Sequence, residues 1–274
     1  MTDSPFPTTR SSPLRVQNFV DFFADHTPLE LAEDWDNVGL LLGDADAPVD
    51  KVLTCLTLTP DVAAEAIREG AALIVSHHPI LFRPVQRLTT TDTQGAMLLD
   101  LIRGGVAVYS PHTAFDSAGE GINQQLAQRL DLQDIQPIRP DEAVPGLGSG
   151  RYGTLSATVT LESLVARIRA ELQAPQVSFV GLPDSPVQSV AVACGAAAEF
   201  LRDAHAAGCD VLLTGEARFH SCLEARSLGM GLIIAGHYQT ERFAVEQLAD
   251  LLSRQFQLNA CWASLSERDP VSWA

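Results

Sequence analysis

The chain has 274 residues, of which 46% are hydrophobic and 19% charged, and its 18 basic and 34 acidic residues give a formal net charge of -16 at pH 7. This composition is typical of a soluble globular protein with one large domain or two lobes, and the negative charge disfavours nucleic acid as a partner. No apolar run reaches the roughly 18 residues that a membrane span needs. The five cysteines show no CxxC spacing, which favours free thiols in a reducing cytoplasm.

The N-terminal part of the chain is predicted to contain a tail and a helix. The opening "MTDSPFPTTRSSPLR" has no apolar segment, so residues 1–14 are predicted as a flexible tail rather than a signal peptide. The following residues place Val16, Phe19, Val20 and Phe23 on one face of a helix. Such a stripe is typical of a helix that packs on the core.

A short helix and a turn are predicted before the first strand. In "TPLELAEDWDNVGLLLGD", Thr27 is a suitable N-cap and Pro28 a suitable first helical residue. The helix would deliver Trp35, Asp36 and Asn37 into a turn. Asp36 and Asn37 are predicted either to line a cleft or only to cap local structure.

Two parts of the chain repeat one order of elements: strand, helix, strand, helix, strand. The first part reads "KVLTCLTLT", "DVAAEAIREG", "AALIVS", "AMLLDLIRGG" and "VAVYS", and the second reads "VQSVAVAC", "AAEFLRDAHAAG", "CDVLLTG", "SCLEARSLGM" and "GLIIAG". Apolar strands that alternate with helices predict an α/β fold with mainly parallel strands buried on both faces. The repeat indicates a weak internal duplication, or only the self-similarity of α/β chains.

The repeat predicts two similar α/β lobes with mainly parallel or mixed sheets. The first lobe is placed at residues 1–130 and the second at residues 131–274. Residues 131–187 would join the two halves through the turn-rich linker "VPGLGSGRYGTL", followed by the helix "LESLVARIRAEL".

Histidines follow three of the predicted strands, in "LIVSHH", "VAVYSPH" and "LIIAGH". Ligands of open α/β sheets bind at the carboxyl ends of the strands, so His77, His78, His112 and His237 fall where a site is built. Pro79 ends regular pairing after the histidine pair, which would let both rings turn toward one pocket.

A carboxylate follows two of these histidines at a spacing of one helical turn. Asp116 follows His112, and Glu241 follows His237. With the histidine pair they make six ligands, which suit two divalent ions of Zn, Fe, Mn or Ni better than Ca or Mg. The residual positive charge of such a centre would attract an anionic substrate. The alternatives are structural histidines and a pH switch, and the latter explains neither carboxylate.

Five motifs together resemble a known family. "WDNVGLLLGD", "VSHHPILFRP", "HTAFDSAGEGIN", "TGEARFHSCLEA" and "GHYQTE" are similar to those of the Nif-three-like family, the dinuclear-metal-centre hexameric proteins called GTP cyclohydrolase I type 2 homologues. The resemblance covers residues 15–274. It implies a metal pair in the cleft between two α/β lobes, a homohexamer around a cavity, and the same six ligands. The connecting segment is too short for the large inserted domain of some members.

The chain departs from the family pattern at one turn, and three further residues are candidates for the site. After "VAVAC" the family tends to have a turn rich in glycine and serine, whereas this chain has "GAAAEF", so close approach of a phosphate is in doubt there. Glu216 and His220 occupy the counterpart of the histidine pair and are interpreted as groups beside the ligands or a proton relay, against a structural role or a contact with substrate. Arg83 could meet a phosphate, but a solvated arginine is the more frequent case.

The preferred hypothesis is a cytoplasmic metal-dependent hydrolase, in which a metal-activated bridging water attacks a small phosphorylated or nucleotide-like substrate. The family label suggests opening of the guanine ring of GTP. The alternative hypothesis is a non-catalytic metal-binding or metal-handling hexamer that acts as an adaptor for other proteins.

Overall fold

The structure, a computed structural model, describes residues 13–273, and residues 1–12 of the predicted tail lie outside the described part. The helices are α1 (Val16–His26), α2 (Pro60–Glu69), α3 (Thr93–Gly104), α4 (His112–Ser117), α5 (Ile122–Arg129), α6 (Leu161–Glu171), α7 (Leu201–Ala206), α8 (Phe219–Leu228) and α9 (His237–Phe256). The strands are β1 (Gly39–Leu42), β2 (Lys51–Cys55), β3 (Leu73–Ser76), β4 (Ala107–Ser110), β5 (Gln133–Gln136), β6 (Arg139–Pro140), β7 (Gly148–Ser149), β8 (Arg151–Thr160), β9 (Ser178–Val180), β10 (Pro186–Ala193), β11 (Val211–Thr214), β12 (Gly231–Ile234) and β13 (Ala260–Ala263). None of the helices between residues 13 and 273 has the length and apolarity to cross a membrane.

Two mixed sheets carry the fold. The first has the order β1-β4-β3-β2-β13, and the second has the order β5-β8-β10-β11-β12-β9. In the first sheet β2, β3 and β4 run parallel with β1 antiparallel beside β4. In the second, β10, β11 and β12 run parallel with β9 antiparallel beside β12. The predicted α/β class is confirmed, and the same three-strand arrangement occurs in both sheets.

The central strands are buried on both faces, as their continuous apolar runs predict. Successive residues point to opposite faces of a strand. Val75 of β3 and Leu213 of β11 join one core that both sheets share. Their neighbours Ile74 and Leu212 join two separate outer cores, one for each sheet. Helices α5 and α9 touch each other and lie on the inner faces, α9 against β2 and β13 and α5 against β8 and β10.

The region predicted as a turn-rich linker holds the longest strand, β8, so that prediction was wrong for its second half. Gly153 lies inside β8, where it allows close packing of strands, whereas Gly146 and Gly150 keep the positive φ of turns, at +83° and +63°. A Cβ at Gly153 would lie 2.6 Å from the backbone oxygen of Gln133, and one at Gly150 would lie 2.7 Å from Cδ1 of Ile138. Glycine in a strand interior marks such close approaches as well as turns.

The predicted N-cap Thr27 instead ends α1. Its hydroxyl donates to the carbonyl oxygen of Phe23 at 3.2 Å, and the short 3-10 helix Leu29–Leu31 has Pro28 before it. The correction has a local cause, because a threonine hydroxyl can bond back to the preceding helical turn as easily as forward to the next helix.

The C-terminal strand β13 pairs parallel with β2 and therefore lies in the first sheet. The division of the chain near residue 130 stays a prediction, but residues 131–274 do not keep all their strands in the second sheet. Glu65 of α2 fixes the segment after β13. Its carboxylate accepts hydrogen bonds from Ser264 Oγ at 2.6 Å, Leu265 N at 3.0 Å and Ser266 N at 2.9 Å.

We expect Glu65→Gln to lower the free energy of unfolding by about 2 kcal/mol at neutral pH, because an amide cannot accept all these bonds. Burial raises the pKa of Glu65, but the bonds from Leu265 and Ser264 outweigh it and lower the pKa to about 2. The folded pKa lies below the unfolded value, so the contribution is complete above roughly pH 5 and declines as pH falls toward 2. Urea unfolding of both proteins at pH 7 and pH 3 should show a smaller difference at pH 3.

Glu69→Gln is the matched control, since Glu69 lies on the same helix with its side chain half exposed. An equal loss of stability in the two variants would contradict the anchoring role of Glu65.

Candidate metal centre

The ends of three strands bring the predicted histidines together. His77 and His78 follow β3, His112 begins α4 just after β4, and His237 begins α9 just after β12. The rings of His77 and His78 have centroids 5.1 Å apart, and that of His78 lies 5.2 Å from that of His237. Histidines from both sheets therefore lie together in one cluster.

One group of three possible ligand atoms consists of a carboxylate oxygen of Glu241 and one nitrogen from each of His78 and His237. Oε2 of Glu241 lies 3.0 Å from His237 Nε2 and 3.2 Å from His78 Nε2. The two Nε2 atoms are themselves 3.2 Å apart. These three residues could hold a metal ion, since they offer ligand atoms within 4.8 Å of one another.

A second group shares His78 with the first. His77, His78 and His112 also offer ligand atoms within 4.8 Å of one another. Asp116 Oδ1 lies 3.6 Å from His77 Nε2, and Glu241 Oε2 lies 4.0 Å from that nitrogen. All six predicted ligands thus lie in one cluster.

The buried atoms of this cluster fit a metal. Within the described part of the chain, both ring nitrogens of His77 and Oε2 of Glu241 are buried without a hydrogen-bond partner. Unpaired buried polar atoms cost free energy, so each such atom requires an explanation. A set of imidazole and carboxylate ligands suits a divalent transition metal, which would pair these atoms directly.

The charges of the cluster fit a cation as well. Burial raises the pKa of Asp116 to about 7, and the nearby charge of Glu241 adds to this effect. Burial also opposes the charged form of Glu241, yet the close approach of the His237 and His78 rings holds its pKa below the usual range. Burial lowers the pKa of His77 well below its usual value, which keeps the ring neutral and able to bind a cation.

Three histidines have Nδ1 held by another residue. Nδ1 of His112 lies 2.7 Å from Asp36 Oδ1, and Nδ1 of His78 lies 2.7 Å from Thr57 Oγ1. Nδ1 of His237 lies 2.9 Å from Glu216 Oε1. Each contact fixes the ring and leaves Nε2 for the cluster, which is the usual arrangement around metal-binding histidines.

Asp36 has a defined role in this arrangement. Besides His112, it accepts a hydrogen bond from the hydroxyl of Thr113 at 2.5 Å. Burial raises the pKa of Asp36, but the bonds from His112 and Thr113 outweigh it and bring the pKa to about 2. A charged Asp36 therefore orients His112. Asn37, predicted beside it, donates to the carbonyl oxygen of Leu81 at 3.0 Å.

Gly195, two residues after the end of β10, allows the chain to pass against the predicted ligands. Its φ is +64°, and a Cβ there would lie 2.3 Å from Glu241 Oε1. Gly215 is equally close packed, since a Cβ there would lie 2.8 Å from Cα of His237. The "GAAAEF" turn thus keeps glycine at the position that touches Glu241, while Ala196 and Ala197 line the adjoining cavity.

Cys194 was not predicted to belong to the site. Its Sγ lies 3.2 Å from Asp116 Oδ1, and its backbone nitrogen donates to Asn123 Oδ1 at 2.8 Å. Burial raises the pKa of this thiol well above its usual value, so it remains protonated and donates to Asp116. A single cysteine outside any motif gives no sign of this contact in the sequence.

Two cavities reach the histidines. The polar cavity, of about 380 Å³, contains His112, Asp116 and Glu241 in its walls, and a larger one of about 580 Å³ contains Glu216. Both include His78 and His237. The other residues predicted from sequence do not join the cluster: His220 on α8 and Arg83 after the histidine pair are exposed, and neither lines these two cavities.

Comparisons with known proteins agree on one family. The family model described as Duf34/NIF3 (NGG1p interacting factor 3) matches residues 14–270. A GTP cyclohydrolase 1 type 2 homolog of Clostridium acetobutylicum is 33% identical over 229 residues, which cover 83% of this chain and 85% of that protein. A NIF3-like protein 1 of Drosophila melanogaster is 32% identical over 250 residues, covering 89% and 84% respectively.

The fold is also that of a solved structure. A crystal structure of a hypothetical protein of Staphylococcus aureus matches with a TM-score of 0.88 and 28% identity, covering 96% of this chain and all of the other.

Proposed function

The chain belongs to the Duf34/NIF3 family, and from this membership and the cluster of six ligands we propose that it is a dinuclear metal protein that acts as a metal-dependent hydrolase. The proposed substrate is a small phosphorylated or nucleotide-like molecule, in keeping with relatives named GTP cyclohydrolase 1 type 2 homolog. The observation that carries the proposal is the pair of three-residue groups that share His78 beside unpaired buried nitrogens of His77.

The six side chains would hold two ions of Zn, Fe, Mn or Ni. One group offers His237, Glu241 and His78, and the other offers His77 and His112, with Asp116 beside them. Bound divalent ions supply Lewis acidity, which lowers the pKa of water and polarises an oxygen of the substrate. Two carboxylates do not neutralise two divalent ions, so the centre would favour an anionic substrate.

The chain's own residues would orient the ligands and move a proton. Asp36, Thr57 and Glu216 each fix one histidine ring through Nδ1. Glu216 also lines the larger cavity and is exposed, so it can exchange a proton with a leaving group. His220 is not carried into the proposal, because its exposed side chain lines neither cavity.

We also propose a cytoplasmic location, which the free state of all five cysteines supports. The homohexamer remains a prediction. Exposed apolar residues beside β9 and on α8, such as Leu182 at 70% and Phe219 at 72% exposure, are consistent with contacts between copies.

We expect about two transition-metal ions per chain in protein purified without chelator, because two groups of ligands occur. The double variant His77→Ala, His237→Ala removes a ligand from each group and should lose both ions. Elemental analysis measures this directly. The matched control is His205→Ala, His220→Ala, which removes two exposed histidines outside the cluster. A wild-type protein that is purified without metal and takes up no Zn, Mn or Fe would contradict the dinuclear proposal.

The adaptor hypothesis keeps one supporting observation, because the family description contains the words interacting factor. Turnover assays on metal-loaded protein distinguish the hydrolase from the adaptor. A hydrolase loses activity with His112→Ala while it keeps its assembly, whereas an adaptor with the same substitution keeps binding its partner.

A further inference from the structure

The larger of the two cavities, which we call the C-terminal cavity, is apolar over most of its wall. It measures about 580 Å³ and adjoins the cluster through His78 and His237. A volume of roughly 300 to 1,000 Å³ is typical of sites for small molecules. The apolar part of the wall consists of Leu56, Ile234, Tyr238, Pro270, Val271 and Trp273.

The carboxylates of this cavity are already paired within the protein. Glu267 accepts hydrogen bonds from the backbone nitrogens of Leu56 at 3.0 Å and Thr57 at 2.6 Å. Asp269 accepts one from Gln239 Nε2 at 2.7 Å. These acids hold the wall in place, and a ligand is not needed to satisfy them.

The charges of the wall do not suit an anion. Glu216, Glu267 and Asp269 line the cavity, against a single guanidinium, that of Arg268. Nη1 of Arg268 donates to the carbonyl oxygens of Leu265 at 2.6 Å and Glu267 at 2.7 Å, so part of this guanidinium is already engaged. A phosphate here would meet repulsion from three carboxylates, which one partly engaged guanidinium does not offset.

An aromatic ring fits these walls. Trp273 is 47% exposed and lines the cavity with its indole side chain, and Tyr238 follows His237 in the same wall. Stacking on such side chains adds to the burial of apolar area. The exposed carboxylate of Glu216 can accept a hydrogen bond from an N–H group of a ring that lies near His237.

We propose that the C-terminal cavity binds an uncharged or protonated heteroaromatic ring, which is the ring end of the substrate. The polar end of the same substrate lies in the polar cavity with His112 and Asp116, so the bond between the two ends lies beside His78 and His237. The inference rests on the proposed function only in calling the ligand a substrate, because the cavity and its walls are independent of any metal.

The test uses benzimidazole as the probe and the full chain in its native assembly, first without metal. Titration followed by ligand-observed NMR should give a Kd on the order of 1 mM, as expected of a small fragment. Trp273→Ala should weaken binding about three- to tenfold, because it removes an aromatic side chain from the wall. Leu265→Ala is the matched control, since Leu265 lies on the same segment, is 75% exposed and is outside the cavity wall.

Each outcome decides the inference. Weaker binding to Trp273→Ala alone, with no competition by inorganic phosphate, supports the heteroaromatic subsite. No binding to wild type, equal binding to both variants, or displacement by phosphate overturns it. Metal content is measured on the same samples. Protein that binds benzimidazole but no metal would refute the proposed function alone, and protein that binds metal but no benzimidazole would refute this inference alone.

Discussion

Glu241→Gln is expected to reduce metal affinity by more than about 100-fold, a larger loss than residues that only orient metal ligands produce. Glu241 Oε2 lies within 3.2 Å of the Nε2 atoms of both His78 and His237 and 4.0 Å from that of His77, so one carboxylate faces three rings. An amide keeps the shape of the side chain but removes its charge and turns a donor toward the rings. Metal titration with competition by a chelator measures the loss.

Glu246→Gln is the matched control for that substitution. Glu246 lies on the same helix, α9, with a side chain that is 64% exposed and pairs with Arg242. Circular dichroism and native mass spectrometry check that both variants keep the fold and the oligomeric state of the wild type. Equal metal affinities in the two variants would remove Glu241 from the proposed ligands.

Gly195→Ala is expected to weaken metal binding about tenfold to 100-fold while it costs little stability beyond the strain of the backbone. The added Cβ would lie 2.3 Å from Glu241 Oε1, which is the free end of a side chain. The carboxylate can rotate away more cheaply than the backbone can move, and by rotating it leaves the cluster. The structure thus predicts that the substitution acts on the ligand and only secondarily on the fold.

Gly229→Ala separates this effect from backbone strain. Gly229 has φ of +69°, close to the +64° of Gly195, and a Cβ there would meet no atom within 4 Å. Both variants should therefore lose a similar free energy of unfolding, about 1 to 2 kcal/mol, measured by urea denaturation. Only Gly195→Ala should lose metal, and an equal metal affinity in the two would contradict the contact with Glu241.

The helices and strands of the repeated part could be predicted because their signals are local. Apolar runs, capping glycines and helical periodicity depend on neighbouring residues, and all five elements of each half occur in the structure in the predicted order. The linker was misinterpreted at Gly153, inside β8, for the opposite reason. Whether this glycine serves a turn or a close strand contact depends on Gln133, which the local pattern does not reveal.

The six clustered side chains could also be predicted from sequence. Parallel strands place their carboxyl ends at one edge of a sheet, and a spacing of four residues places Asp116 and Glu241 one helical turn after His112 and His237. These are rules of backbone geometry, so they hold before the packing is known. Their meeting in one cluster required both sheets to direct those edges toward each other.

Tertiary structure alone decided which residues support the six clustered side chains and which space adjoins them. Asp36 and His112 are separated by 76 positions, and Cys194 and Asp116 by 78. The C-terminal segment returns to the first sheet and supplies Trp273 to the larger cavity. Such contacts arise from the packing of distant elements around a common core, and no period or spacing in the chain encodes them. The sequence by itself therefore determined the α/β class and which six side chains are candidate ligands, whereas packing determined the orientation of the rings and the shape of the space beside them.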